Sequence, residues 1–144
     1  MIKIIAAYLK FDGENYSPQS IENKVGKIFS KKNKVGELGT RGKYRDKPLP
    51  YGSGTIYFSH EELDNITDED LLSTSSDTFI QVKENIQLLK MNSDFSKFHL
   101  QIAYDNQCNM DFSPSLLKAI SNLEIDLTIS CYRDESEFED QTPK

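Results

Sequence analysis

Histidine and cysteine, the side chains that most readily act as base, nucleophile or soft-metal ligand near neutral pH, occur at four positions: His60, His99, Cys108 and Cys131. His60 lies in Ser59-His60-Glu61-Glu62, whose spacing is that of a capping box, so it reads as an exposed residue of a first helical turn. His99 alternates with Phe98 and Leu100. It is therefore expected on the sheet face opposite their apolar row, solvated or at an interface. Cys108 and Cys131 match no metal spacing and no CxxC motif, and two free thiols without a disulfide are expected. Asp64, Asp68, Glu69 and Asp70 lack the alternating ligands and central glycine of a calcium loop, and acids there suit a helix start. Carboxylate pairs for glycoside chemistry cannot be singled out in so acidic a chain. The glycine-rich run Gly36-Glu37-Leu38-Gly39-Thr40-Arg41-Gly42-Lys43 lacks P-loop order. No metal, cofactor or catalytic residue is expected, and the residues name no enzymatic activity.

Charge is more informative than catalytic chemistry. The 144 residues carry a formal net charge of -6, unevenly spread. Residues 1–60 hold eleven Lys/Arg against five Asp/Glu, a net of +6, and residues 61–144 hold six against eighteen, a net of -12. Nine of the basic residues fall between Lys24 and Lys47, with Tyr44 and Tyr51 nearby. That stretch raises the question of nucleic acid, but the overall negative charge opposes attraction to a polyanion, and nucleic acid is disfavoured as a partner. At the other end Asp134, Glu135, Glu137, Glu139 and Asp140 surround Phe138. Acids around an aromatic anchor suit a basic protein partner, and a solvated tail is the plainer reading.

The elements that must position these residues show an internal similarity. Ala7-Tyr8 recurs as Ala103-Tyr104 and Tyr16-Ser17-Pro18 as Phe112-Ser113-Pro114, an offset of 96 residues. A strand-like run precedes each copy, over 2–9 and 98–104, and a helical pattern follows. Ser17 and Ser113 are expected N-caps with Pro18 and Pro114 at the first helical position. Tyr16 with Ile21 and Phe112 with Leu117 have the spacing of a hydrophobic staple. Ile21, Val25 and Ile28 form one buried stripe, and Leu116, Leu117, Ile120 and Leu123 another. Further strands are expected over 54–59 and 125–132, with Ile125, Leu127, Ile129 and Cys131 on one side of the second. Between the units lie the capping box, an acidic start at Thr67-Asp68-Glu69-Asp70 with Ile66 and Leu71 at staple spacing, and a helix over 77–91 on Phe79, Val82, Ile86 and Leu89.

These elements predict a single α+β domain over 1–133, two βαβ units with a helical insertion. The expected sheet is four-stranded and mainly antiparallel, with helices on one face in the manner of a ferredoxin-like or split βαβ sandwich and the strands 2–9 and 98–104 as its central pair. Residues 30–54 read as a long basic surface loop with a short hairpin around 36–43, and 134–144 as a flexible acidic tail. No run is long enough for a membrane span and no secretory leader is visible, so a cytoplasmic location is expected.

The order of an N-terminal strand, a Ser17-Pro18 helix, the Gly36-Glu37/Arg41-Gly42-Lys43 loop, the 54–59 strand and the Phe112-Ser113-Pro114 helix running into 125–132 resembles a family of small bacterial proteins of unknown function. Where that family usually carries a tryptophan, this chain has Ile56 or Tyr57. The resemblance implies no catalytic residues. In size and charge the chain is also similar to bacterial immunity proteins that neutralise polymorphic or contact-dependent toxins. The expected function is accordingly a non-enzymatic inhibitor of a cognate toxin domain, basic and of the kind a nuclease presents. Asp68, Glu69, Asp70, Glu135, Glu137 and Glu139 would steer association, and Tyr132 and Phe138 would serve as buried anchors. The alternative is a regulatory or ligand-sensing module, dimeric through an open sheet face on which Ile5, Ala7 and Leu9 join His99, Gln101, Thr128 and Tyr132. Monomer and dimer both remain open at this point.

Overall fold

A computed structural model describes residues 2–59, 62–63 and 76–133. The helix starts follow the local chemistry read from the sequence. In α1 (Pro18–Val25) the Ser17 hydroxyl accepts from the Ser20 N–H with Pro18 in the first turn. In α2 (Asp77–Leu89) Ser76 accepts from Phe79 N–H at 3.2 Å and Asp77 favours the helix dipole. In α3 (Pro114–Leu123) Ser113 accepts from Leu116 N–H at 3.1 Å. The capping box also forms: Ser59 N–H donates to the Glu62 carboxylate at 2.7 Å and Glu62 N–H to the Ser59 hydroxyl at 3.2 Å. Gly26, at φ 90°, ends α1 before Ile28, which the expected stripe had included.

Five strands make one mixed sheet: β1 (Ile2–Gly13), β2 (Lys31–Asn33), β3 (Gly52–Tyr57), β4 (Phe95–Tyr104) and β5 (Asp126–Arg133), in the order β2-β3-β1-β4-β5. The α+β class and the central β1–β4 pair agree with expectation. Two features of the expected sheet do not. Lys31–Asn33, assigned to the basic loop, forms a fifth strand at the β3 edge. The two halves of the sequence similarity also fold differently, since β1 and β3 are antiparallel whereas β4 and β5 are parallel. β3 and β4 both run antiparallel to β1 and hence parallel to each other, with β1 between them.

The remaining loop, 34–51, is tied back on itself. Gly36 N–H donates to the Leu49 carbonyl at 2.9 Å, Leu49 N–H to the Glu37 carbonyl at 2.8 Å, and Gly39 N–H to the Lys47 carbonyl at 2.9 Å. A single 3₁₀ turn at Gly42–Tyr44 lies at its tip. The hairpin-like pairing is therefore wider than the stretch 36–43 expected to hold it.

One cluster holds the core. Ala7, Leu9 and Phe11 of β1, Ile56 of β3, and Phe98, Leu100 and Ile102 of β4 meet Ile21 of α1, Phe79, Val82 and Leu89 of α2, and Leu116, Ile120 and Leu123 of α3. Full burial of each large side chain contributes about 1.5–3 kcal/mol. Leu117 is instead 45% exposed, outside the stripe in which it was expected. Tyr16 is buried and its hydroxyl donates to the Leu89 carbonyl at 2.7 Å, joining the start of α1 to the end of α2.

Register shifts between Ile4 and Ala6, where Ile4 pairs Ile102 and Ala6 pairs Gln101, leaving Ile5 as an extra residue. A bulge of one residue transfers the following side chains to the other face. Ala7 and Leu9 therefore point into the core and are fully buried. The apolar open face that strict alternation predicted does not form from them.

Candidate functional site

The sheet face opposite the core is paved by rows of side chains running across the strands. Tyr57 of β3, Tyr8 of β1, His99 of β4 and Thr128 of β5 stand in register, and Thr55, Lys10, Lys97 and Asp126 form the next row. Tyr8 contacts both neighbours, with ring centroids 5.2 Å from Tyr57 and 4.9 Å from His99. The Lys31 ammonium lies 5.5 Å from the centre of the Tyr57 ring, within reach of a cation–π contact.

At the centre of the first row is a hydrogen-bonded chain. The Tyr8 hydroxyl is 2.7 Å from His99 Nδ1, and His99 Nε2 is 2.7 Å from the Ser130 hydroxyl. A phenol is a stronger acid than a neutral imidazole N–H, so the favoured direction has Tyr8 donating to Nδ1 and the Nε2–H donating to the Ser130 hydroxyl. These bonds tie β1, β4 and β5 together across the open face. Burial first, then the charges of Lys97 and Lys10, hold His99 below its ordinary value and favour the neutral ring. Burial, with Tyr57 second, raises Tyr8 against the opposing influence of Gln101 and Arg41. His99 faces away from the helices as expected, but it is buried and bonded at both nitrogens, not solvated.

Of the residues expected to meet a partner, Tyr132 alone is among the described residues. It lies on β5, the outer strand of the sheet, and is 43% exposed, with Ile129 of the same strand 39% exposed. Asp68, Glu69, Asp70, Glu135, Glu137, Phe138 and Glu139 lie outside the described residues, as do His60, Asp64 and the segment 134–144. Among the described residues no group of three or more His, Cys, Asp or Glu side chains is placed to hold a metal ion, and no helix is long and apolar enough to cross a membrane.

Sequence reasoning missed three arrangements. Glu22, read only as a helix residue, is buried and accepts from the N–H groups of Ile28 and Phe29 at 2.8 and 3.0 Å while pairing with the Lys32 ammonium. Burial pushes its carboxyl up, but the Lys32 bond and the two N–H groups outweigh that and hold it below its usual range. Glu62, beyond its place in the capping box, accepts from the Thr78 N–H and hydroxyl at 3.2 and 3.0 Å, fastening that box to the start of α2. Cys108 and Cys131, both free, have their sulfurs 3.5 Å apart. In each case the partners are far enough apart in sequence that no spacing signal marks them. The nearest hint for Glu22 was the run of lysines that begins at Lys24.

The surface of the described residues carries grooves, of which two are large. One, of about 640 Å³, runs beside the α1 start between Tyr16 and Val35; the other, of about 420 Å³, lies between α2 and α3 and is floored by Phe79 and Leu123. No protein-family model, curated protein or solved structure matches the chain.

Proposed function

We propose that the chain is a non-enzymatic binding protein of the immunity type, which neutralises a cognate bacterial toxin domain of basic charge by covering its active site or substrate groove. The observation that carries this reading is the form of β5. Among the described residues it is an edge strand with no strand beyond it, and it presents Tyr132 and Ile129 to solvent. In the sequence it runs directly into the acids Asp134 to Asp140, with Phe138 among them.

The distribution of charge supports a basic partner. The described residues hold sixteen Lys/Arg against thirteen Asp/Glu, a net of +3, while the rest hold one Lys against ten acids, a net of -9. The acidity of the chain thus belongs to 61–70 and 134–140. Such segments accelerate encounter with a basic surface, and a partly exposed tyrosine beside them supplies the contact that holds it. The pattern resemblance to small bacterial proteins of unknown function is consistent with this reading.

The test uses the protein encoded immediately upstream of this chain's gene, co-expressed and purified with it. A one-to-one complex is expected, with Tyr132→Ala costing about 2 kcal/mol of affinity, roughly thirtyfold. Replacing Asp68, Glu69, Asp70, Glu135, Glu137 and Glu139 by their amides should slow association and flatten its salt dependence. Unchanged affinity and unchanged salt dependence in both variants, or failure to form the complex, overturns the reading.

A further inference from the structure

We propose that Cys108 and Cys131 are a redox pair that closes an intramolecular disulfide, fastening the loop after β4 to the edge strand β5. The inference is independent of the binding reading above. The two thiols come from different elements, 23 positions apart, and meet at 3.5 Å. Closing that gap to a disulfide bond of about 2.05 Å asks each sulfur to move by less than about 1 Å, within reach of small side-chain rotations. The same loop is already held to the same strand at another point, where Arg133 Nε donates to the Asp105 carbonyl at 2.9 Å. The start of the loop is therefore held to the end of β5 before any sulfur chemistry takes place.

The two sulfurs differ in a way that divides the chemistry between them. Cys131 is exposed on β5, whereas Cys108 is half-buried against the core cluster. Burial, and secondarily the adjacent Cys131 sulfur, push the Cys108 thiol up, and exposure makes Cys131 the sulfur that an oxidant reaches first. With a hydroperoxide as oxidant, the Cys131 thiolate attacks the terminal peroxide oxygen, the O–O bond breaks, and the departing oxygen leaves as water or alcohol after taking a proton. Cys131 is then a sulfenic acid. The Cys108 sulfur gives up its proton and attacks the Cys131 sulfur. The S–O bond breaks and hydroxide leaves with that proton as water. Two thiols are oxidised and one peroxide is reduced, and a dithiol reductant reverses the change.

The experiment treats the full chain with one equivalent of hydrogen peroxide and follows thiols, intact mass and hydrogen exchange. The expected product is a monomer with both thiols lost to titration, a mass lower by two hydrogens and a linked pair of peptides containing Cys108 and Cys131. Exchange across 105–113 should slow and recover with dithiothreitol. Cys108→Ser should instead stop at sulfenic acid on Cys131, trapped by dimedone. A product linked between chains, oxidation of each sulfur to sulfinic acid without a link, two persistent thiols, or a linked monomer whose 105–113 segment exchanges as fast as the reduced form each overturns the proposal.

Discussion

Phe29 occupies the space in which a Gly54 side chain would stand: a Cβ at Gly54 would overlap Cε1, Cδ1 and Cζ of its ring. The ring lies over β3 where that strand pairs with Phe11 of β1, and it meets the Tyr16 ring edge-on with centroids 6.4 Å apart. Gly54→Ala should therefore displace a buried aromatic side chain and lower stability by about 1–3 kcal/mol. Gly52→Ala should cost more, because the obstacle there is the backbone carbonyl of Tyr16. Denaturant midpoints check both, and a Gly54→Ala midpoint equal to that of the unaltered chain would falsify the account.

Glu22 and Lys32 form an ion pair whose members are buried to very different extents, with side-chain exposures of 5% and 44%. Removing Glu22 leaves the cation to water and Gln19 but strands two N–H groups, so Glu22→Ala should cost about 3–5 kcal/mol, while Lys32→Ala leaves the buried carboxylate held by those N–H groups alone and should cost about 1–3 kcal/mol. Because the folded Glu22 pKa is depressed, the stability it contributes is present above 4.5 and is lost as pH falls through the folded value. Acid titration of Glu22→Gln should lose that part of the acid sensitivity. Equal costs for the two alanine variants would contradict this arrangement.

His99 loses stability in the same pH direction as Glu22, though here it is the neutral form that the fold favours. Its folded value lies below 6.5, so below that pH the unfolded chain takes up more protons. Stability from this group is complete above pH 6.5, declines as pH falls below it, and levels off once the folded value is passed. Lys97→Gln removes one of the charges that lower the value, so the NMR titration of His99 should move upward in that variant. Nitrogen shifts should also show the Nε2-protonated tautomer. A hydrogen on Nδ1 would reverse the direction of the Tyr8–His99–Ser130 chain.

The two Ser-Pro caps are alike in sequence but not in geometry. Ser113 accepts from Leu116 N–H at 3.1 Å, whereas Ser17 accepts from Ser20 N–H at 3.4 Å and also contacts the Ser20 hydroxyl at 2.9 Å. Ser113→Ala should cost about 1 kcal/mol and Ser17→Ala a few tenths, read from thermal or denaturant unfolding. A larger loss at Ser17 would show that the longer bond matters more than its length suggests.

What could be read from the residues alone divides along physical lines. Ser17-Pro18 and Ser113-Pro114 announced their helices, and Ser59 with Glu62 its capping box, because capping is chemistry within four residues. Strand periodicity located β1 and β4 because both bury one face. Lys31–Asn33 gave no such signal, since all three residues are exposed and the segment is a strand through pairing with Ser53, Gly54 and Thr55. The direction of β5 was hidden for a related reason: a parallel and an antiparallel partner ask for the same alternation of side chains. The His99 partners Tyr8 and Ser130 come from two other strands and depend on a register that a single extra residue had altered. For the proposed contact surface, only Tyr132 can be placed on the fold.

That extra residue, Ile5, has a consequence for how the central strand tolerates changes in length. The strand keeps two separate counts, one for the residues up to Ile4 and another from Ala6 onward. Loss of Ile5 merges the counts while leaving every other side chain on its present side. Loss of Tyr8 or Lys10 exchanges inside for outside along part of the most heavily paired strand in the sheet. A deletion scan through 2–13, read by retention of folded protein, should therefore be permissive only at the bulge, where loss of Ile4 and loss of Ile5 give one and the same sequence. At that position a heritable frame of one residue can be gained or shed while the core and the open face keep their separate identities.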